Sequence, residues 1–93
     1  MKKNKIDISK KIIPCKHTRV IQIDDIAIAL SLKKMKYYEL NIETFNIWKL
    51  LEKHLYPKKV IEYLSEKYEI DINLIEEDVK NICLFFVNEQ LWK

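Results

Sequence analysis

The residues of this 93-residue chain with chemistry to offer are few and scattered. His17 and His54 each stand alone, with no second His, Cys or carboxylate at metal-ligand spacing, so no metal site is expected. No Ser–His–Asp or Cys–His arrangement has supporting residues around it, so the chain is expected to be non-catalytic and to need no cofactor. It contains no glycine, which excludes the phosphate-cradling and dinucleotide-binding loops that depend on it. What remains is recognition chemistry. Lys36-Tyr37-Tyr38-Glu39-Leu40 reads as a short aromatic strand running directly into a Trp-bearing helix capped by Asn41. If the outer edge of that strand is open, its N–H and C=O groups can pair with an extended peptide. Further along, Leu74, Asp78, Asn81 and Phe85, continued by Asn88, recur at three- and four-residue steps, placing a mixed apolar and polar stripe on one helix face.

These candidates need elements to hold them. Thr18 to Ile23 reads as a first strand, Asp24-Asp25 as a tight turn, and Ile26 to Leu32 as a second strand of period two. Ile26, Ile28, Leu30 and Leu32 fall on one face of it; their bulk suggests that this face packs on helices and that the Ala27, Ala29 and Ser31 face is more open. Lys33-Lys34-Met35-Lys36 forms the next connection, and the third strand places Tyr38 and Leu40 on one face, Tyr37 and Glu39 on the other. A first helix over Ile42–His54 has the stripe Phe45, Ile47, Trp48, Leu51 and Leu55. Pro57 opens a second helix buried through Val60, Ile61, Leu64 and Tyr68. A third, capped by Asp71 or Asn73, runs to about Glu89 with Ile75, Val79, Ile82, Cys83 and Phe86 inward. Trp48 reads as core, whereas Trp92 reads equally as a packed lid or a free-end aromatic. The expected class is α+β, winged helix-turn-helix-like: a three-stranded antiparallel sheet followed by three helices.

Composition fits one folded domain, with 48% hydrophobic and 33% charged residues. Residues 1–16 are expected to be a basic flexible arm, with a short Ile6–Ile8 strand as an alternative, and residues 17–93 the folded domain. The net charge of +3 divides unevenly: seven cations and Asp7 give the first nineteen residues +6, leaving −3 on the body. No apolar run approaches the roughly 18 residues of a membrane span, and no signal-like segment follows the basic start, so a cytoplasmic protein without a membrane partner is expected. Cys15 and Cys83 are then expected to stay reduced, Cys83 as a small core residue. Without glycine, turns needing positive φ are expected to use Asn, Asp and Lys.

Tyr37-Tyr38-Glu39-Leu40-Asn41, Ile47-Trp48-Lys49-Leu50-Leu51, Val60-Ile61-Glu62-Tyr63-Leu64, Tyr68-Glu69-Ile70-Asp71, Asp78-Val79 and Leu91, in this order and spacing, resemble the PqqD family. The resemblance covers about Ile12 to Trp92. It departs where that family often carries glycine: in the turn before the Tyr-rich strand, after the first helix and just before the last Leu. Here those regions read Lys33-Lys34-Met35-Lys36, Lys53-His54-Leu55-Tyr56 and Glu89-Gln90. PqqD-like proteins are the recognition elements that hold the leader of ribosomally synthesised, post-translationally modified peptides (RiPPs).

The resemblance implies that a precursor leader peptide adds as a strand on the edge of the third strand, against the third helix. The partners implied are that peptide and a RiPP modifying enzyme or leader protease, of a lasso-peptide or a radical-SAM pathway. The backbone of Lys36, Tyr37, Tyr38, Glu39 and Leu40 would line the peptide; Leu74 and Phe85 would hold apolar leader residues, Asp78 and Asn81 a basic or polar group. Plainer readings stand beside these: Phe85 as an extension of the core next to Phe86, Asp78 as a surface partner of Lys80 or Lys36, and Glu76-Glu77-Asp78 as a solvated first turn. Two rival functions are a winged-helix DNA-binding protein and a structural subunit of a modification complex. Glu76, Glu77, Asp78 and Glu89 against the single Lys80 on the third helix argue against a nucleic-acid partner there.

Overall fold

A computed structural model describes residues 2–93; Met1, part of the expected arm, lies outside the described residues. Three strands come first, β1 (Thr18–Ile23), β2 (Ile26–Ser31) and β3 (Lys36–Leu40), then three helices, α1 (Ile42–His54), α2 (Pro57–Tyr68) and α3 (Ile72–Asn88). The strands form one antiparallel meander in the order β1-β2-β3, with Arg19 opposite Leu30 and Ala29 opposite Tyr38. This is the α+β, three-strand and three-helix architecture expected from the sequence.

Local chemistry sets the boundaries. The Asn41 side chain accepts a hydrogen bond from the Thr44 N–H at 2.8 Å and starts α1, and Asp71 does the same for Asn73, so the cap of α3 is Asp71. Pro57 opens α2, where its missing N–H costs no helical bond. Five residues take positive φ without being glycine: Asp24 (52°), Met35 (55°), Leu55 (66°), Glu69 (52°) and Gln90 (60°). Only Asp24 is of a type expected there. The others carry a Cβ penalty that the helix-end and hairpin contacts must outweigh. Met35, Leu55 and Gln90 fall in the three regions where the sequence departs from the glycines of the resemblance, and each of those regions holds a left-handed residue.

The core joins sheet to helices through Leu40, Phe45, Trp48, Leu51, Val60, Ile61, Val79 and Phe86. Trp48 packs edge-on to Phe86 at 5.0 Å and to Trp92 at 5.5 Å, which makes Trp92 a packed lid rather than a free end. Cys83 is fully buried, and burial pushes its thiol up to about 12.

Four expectations are corrected. The helix-facing side of β2 is the small one: Ala27, Ala29 and Ser31 are buried, while Ile26 and Leu32 are exposed on the outer face with Ile21, Ile23 and Tyr37. Small residues let the helices approach closely, and Trp48, Phe86 and Trp92 supply the missing volume. Tyr68 is 57% exposed rather than part of the buried face of α2. The positive-φ turns use Met, Leu, Glu and Gln beside Asp. The basic arm is not detached: Ile12 is a core residue, its N–H bonds the Leu55 carbonyl, and Lys58 N–H bonds the Ile8 carbonyl. Ile13 and Cys15 donate to the carbonyls of Lys93 and Leu91, pairing the arm with the chain's end. Apolar Ile6, Ile8 and Ile12 outweigh the basic residues between them by packing against the helical core.

Candidate functional site

The candidate groove lies between the outer edge of β3 and α3. Which backbone groups face that edge follows from the pairing. The Leu32 N–H donates to the His17 carbonyl at 2.8 Å, so residues 26, 28 and 30 of β2 turn their hydrogen-bonding groups toward β1. Residues 27, 29 and 31 must then turn theirs toward β3, where they meet Leu40, Tyr38 and Lys36. The N–H and C=O of Tyr37 and Glu39 therefore point outward. Among the described residues none of the arm's backbone hydrogen bonds reaches β3, and no strand pairs with this edge. An unpaired edge of this kind satisfies its donors with water or with an added strand.

The floor of the groove is built by Tyr38. Its ring meets Phe85 of α3 edge-on at 5.7 Å, and its hydroxyl donates to the Glu89 carboxylate at 2.7 Å. Lys34 and Lys2 approach the same carboxylate at 3.5 and 4.0 Å. Burial, and then the hydrogen bond and charge of Glu89, push the Tyr38 hydroxyl up to about 12. In turn the Tyr38 hydrogen bond, helped by Lys34 and Lys2, holds Glu89 below the usual carboxylate range. This network ties the C-terminal end of α3 to β3 and keeps the groove walls in a fixed relation.

The predicted residues are placed as follows. Lys36, Tyr37 and Glu39 are exposed on β3; Leu40 is buried to 1%, so its side chain belongs to the core and only its backbone is at the strand. On α3, Phe85 is 39% exposed beside Tyr38, and Asn81 and Asp78 are exposed one and two turns earlier. Leu74 is 65% exposed at the start of the helix, eleven residues or roughly 16 Å of helix from Phe85. Tyr38 and Phe85 are thus in contact, while Leu74 stands at the far end of the stripe. Asn88 is already engaged: its carboxamide accepts from the Lys3 N–H and donates to the Lys3 carbonyl, as a paired strand would. Asp78 makes no ion pair among the described residues; Lys80 pairs with Glu76 instead, at 3.2 Å.

Two features escaped the sequence reading. Glu89, four residues after Phe85, is the polar partner of Tyr38; the spacing was legible, but its partner 51 positions away was not. The second is a cleft of about 600 Å³ among α1, α2 and α3, which shares Asp78 with the stripe. Among the described residues no group of three His, Cys, Asp or Glu gathers as a metal site, and no helix is long and apolar enough to cross a membrane.

No family model matches the chain, and no curated protein matches it. Two solved structures share its fold. TbiB1 in complex with the TbiA(beta) leader peptide is 23% identical, with a TM-score of 0.78 over 87% of this chain and 94% of that one. Lasso peptide synthetase B1 complexed with the leader peptide is 19% identical, with a TM-score of 0.79 over 90% of this chain and 99% of that one. At this identity the likeness is one of fold.

Proposed function

We propose that this chain is a non-catalytic recognition protein of the PqqD-like kind, which captures the leader of a ribosomally synthesised precursor peptide by strand addition. It presents that peptide to a modifying enzyme or leader protease of a RiPP pathway. One observation carries the reading: the outward N–H and C=O groups of Tyr37 and Glu39, unpaired among the described residues, run beside an exposed α3 stripe with Phe85 and Asp78. Two proteins of the same fold, each solved with a leader peptide, add support and favour the lasso-peptide class.

The mechanism is positional. An incoming extended peptide completes the β3 ladder, which supplies affinity with little regard to sequence, and the α3 stripe selects side chains at alternate positions. Phe85 offers an apolar surface; Asp78 and Asn81 offer a carboxylate and an amide. A module that holds the leader and touches an enzyme raises the local concentration of the attached core peptide at the active site.

The test is a titration of the ¹⁵N-labelled chain with synthetic leader peptides of lasso-type precursors. Amide shifts concentrated at Lys36–Leu40 and along α3 are expected. No shift with the peptide, but a shift with the partner enzyme, would replace this reading with a structural-subunit role. A salt-dependent response to random duplex DNA that vanishes on deleting the basic arm would report only tail-driven, non-specific binding.

A further inference from the structure

The cleft among the three helices is a separate feature from the β3 edge. Its floor is apolar: Ile47 and Leu50 of α1, Leu64 of α2, and Ile75, Val79 and Ile82 of α3. At about 600 Å³ it lies within the size range of small-ligand pockets and exceeds a packing defect. The rim is divided by charge. Glu43 and Asp78 stand on it, and neither makes an ion pair among the described residues. The rim cations are engaged: Lys67 lies 5.6 Å from the Tyr63 ring centre and 5.4 Å from that of Tyr68, and Lys49 lies 4.9 Å from that of Phe45.

We infer that this cleft is a second anchoring subsite for the captured peptide, taking a bulky aromatic or branched aliphatic side chain that has a Lys or Arg beside it. The inference rests on the strand-addition reading above and deepens it. Two observations specify the occupant. The first is continuity: Asp78 belongs to both the exposed stripe and the cleft rim, and Glu43 follows Leu40, the last residue of β3, by three positions. A peptide lying along the exposed α3 stripe reaches this rim at Asp78. The second is charge: Glu43 and Asp78 have no ion-pair partner among the described residues, whereas Lys49 and Lys67 lie over aromatic rings, so the carboxylates are the groups placed to take a cationic neighbour of the inserted side chain. Strand pairing alone reads little sequence, so a side-chain pocket adds to the selectivity of the α3 stripe.

The test uses the full chain and a phage-displayed library of random peptides about fifteen residues long. Asn46, exposed at the cleft mouth on α1, is replaced in a second version by Trp (Asn46→Trp), which fills the cleft from its rim without touching β3. Peptides selected on the unaltered chain are expected to share an apolar residue next to Lys or Arg at one end of the paired segment. They are expected to shift both the Tyr37 and Glu39 amides and the methyl signals of Leu50, Leu64 and Ile75. Asn46→Trp is expected to bind them at least tenfold more weakly, and truncating the peptide at the basic-apolar pair should abolish that difference. Shifts at Tyr37 and Glu39 with silent cleft methyls, and equal affinity for Asn46→Trp, would overturn the subsite and leave strand addition standing. Selected peptides that leave Tyr37 and Glu39 unmoved would overturn strand addition itself, and the subsite with it.

Discussion

Replacing Glu39 with proline tests the edge directly, because the pairing pattern says what that residue's N–H does. Tyr38 and Leu40 face β2, so the Glu39 N–H points away from the sheet and bonds nothing among the described residues. Proline is tolerated at such edge positions, and the extended conformation it imposes on the preceding residue already suits a strand. The cost to folding should stay within about 1 kcal/mol. The cost to binding is larger: one hydrogen bond of about 1 kcal/mol is lost, and the peptide carbonyl that would have accepted it is left unsatisfied for about 1–3 kcal/mol. A total of about 2–4 kcal/mol corresponds to a roughly 30- to 700-fold rise in Kd. Tyr38→Pro is the control. It removes a ladder donor to β2, the Phe85 contact and the Glu89 hydrogen bond together, so it should destabilise the fold by about 3 kcal/mol or more. Fluorescence anisotropy with a labelled selected peptide reads binding, and urea unfolding reads stability. Unchanged affinity in Glu39→Pro would refute strand addition on this edge; equal loss of stability in the two variants would refute the assignment of which groups face outward.

Other consequences follow from individual residues. Trp48→Ala, at a position 2% exposed between Phe86 and Trp92, should cost about 3–5 kcal/mol in denaturant unfolding, whereas Phe85→Ala, 39% exposed, should cost the fold about 1 kcal/mol and mainly weaken peptide binding. Ala29→Leu should destabilise by about 1–3 kcal/mol through overpacking under the helices, which would not happen if the small face of β2 were open. Met35→Gly should stabilise by up to about 1 kcal/mol, since it relieves a left-handed φ of 55° at a side chain that is 84% exposed; a lower melting temperature would show that the turn is not strained. Glu89 is held below its ordinary value of 4.5 in the folded state, so its stabilising contribution is present above that pH and is lost as the pH falls through the lower folded value. The melting-temperature gap between the unaltered chain and Glu89→Gln should therefore close on acidification, and a gap independent of pH would contradict the Tyr38–Glu89 tie.

Much of the fold was legible because it is local. The Asp24-Asp25 turn, the Asn41 and Asp71 caps, Pro57 at a helix start and the helical spacing of the core residues are decided within a few residues of themselves. The Tyr-rich strand and the α3 stripe beside it were readable for the same reason. The faces of β2 were not, since a period of two defines two faces without saying which meets the helices; that depends on whether bulk comes from the sheet or, as here, from Trp48, Phe86 and Trp92. Charge density marked residues 1–16 as a loose arm, yet Ile6, Ile8 and Ile12 recover enough apolar contact to hold it against α1, α2 and the chain's end.

The sequence by itself determined the order of elements, their caps, the aromatic strand and the mixed stripe, because propensity, periodicity and side-chain capping act over one or two turns. The tertiary structure alone decided that Tyr38 reaches Glu89, that Asn88 is taken by the backbone of Lys3, that Tyr37 and Glu39 face outward, and that three helices leave a cleft between them. These are pairings across 51 and 85 positions and a shape between elements, set by how closely the small face of β2 lets the helices approach.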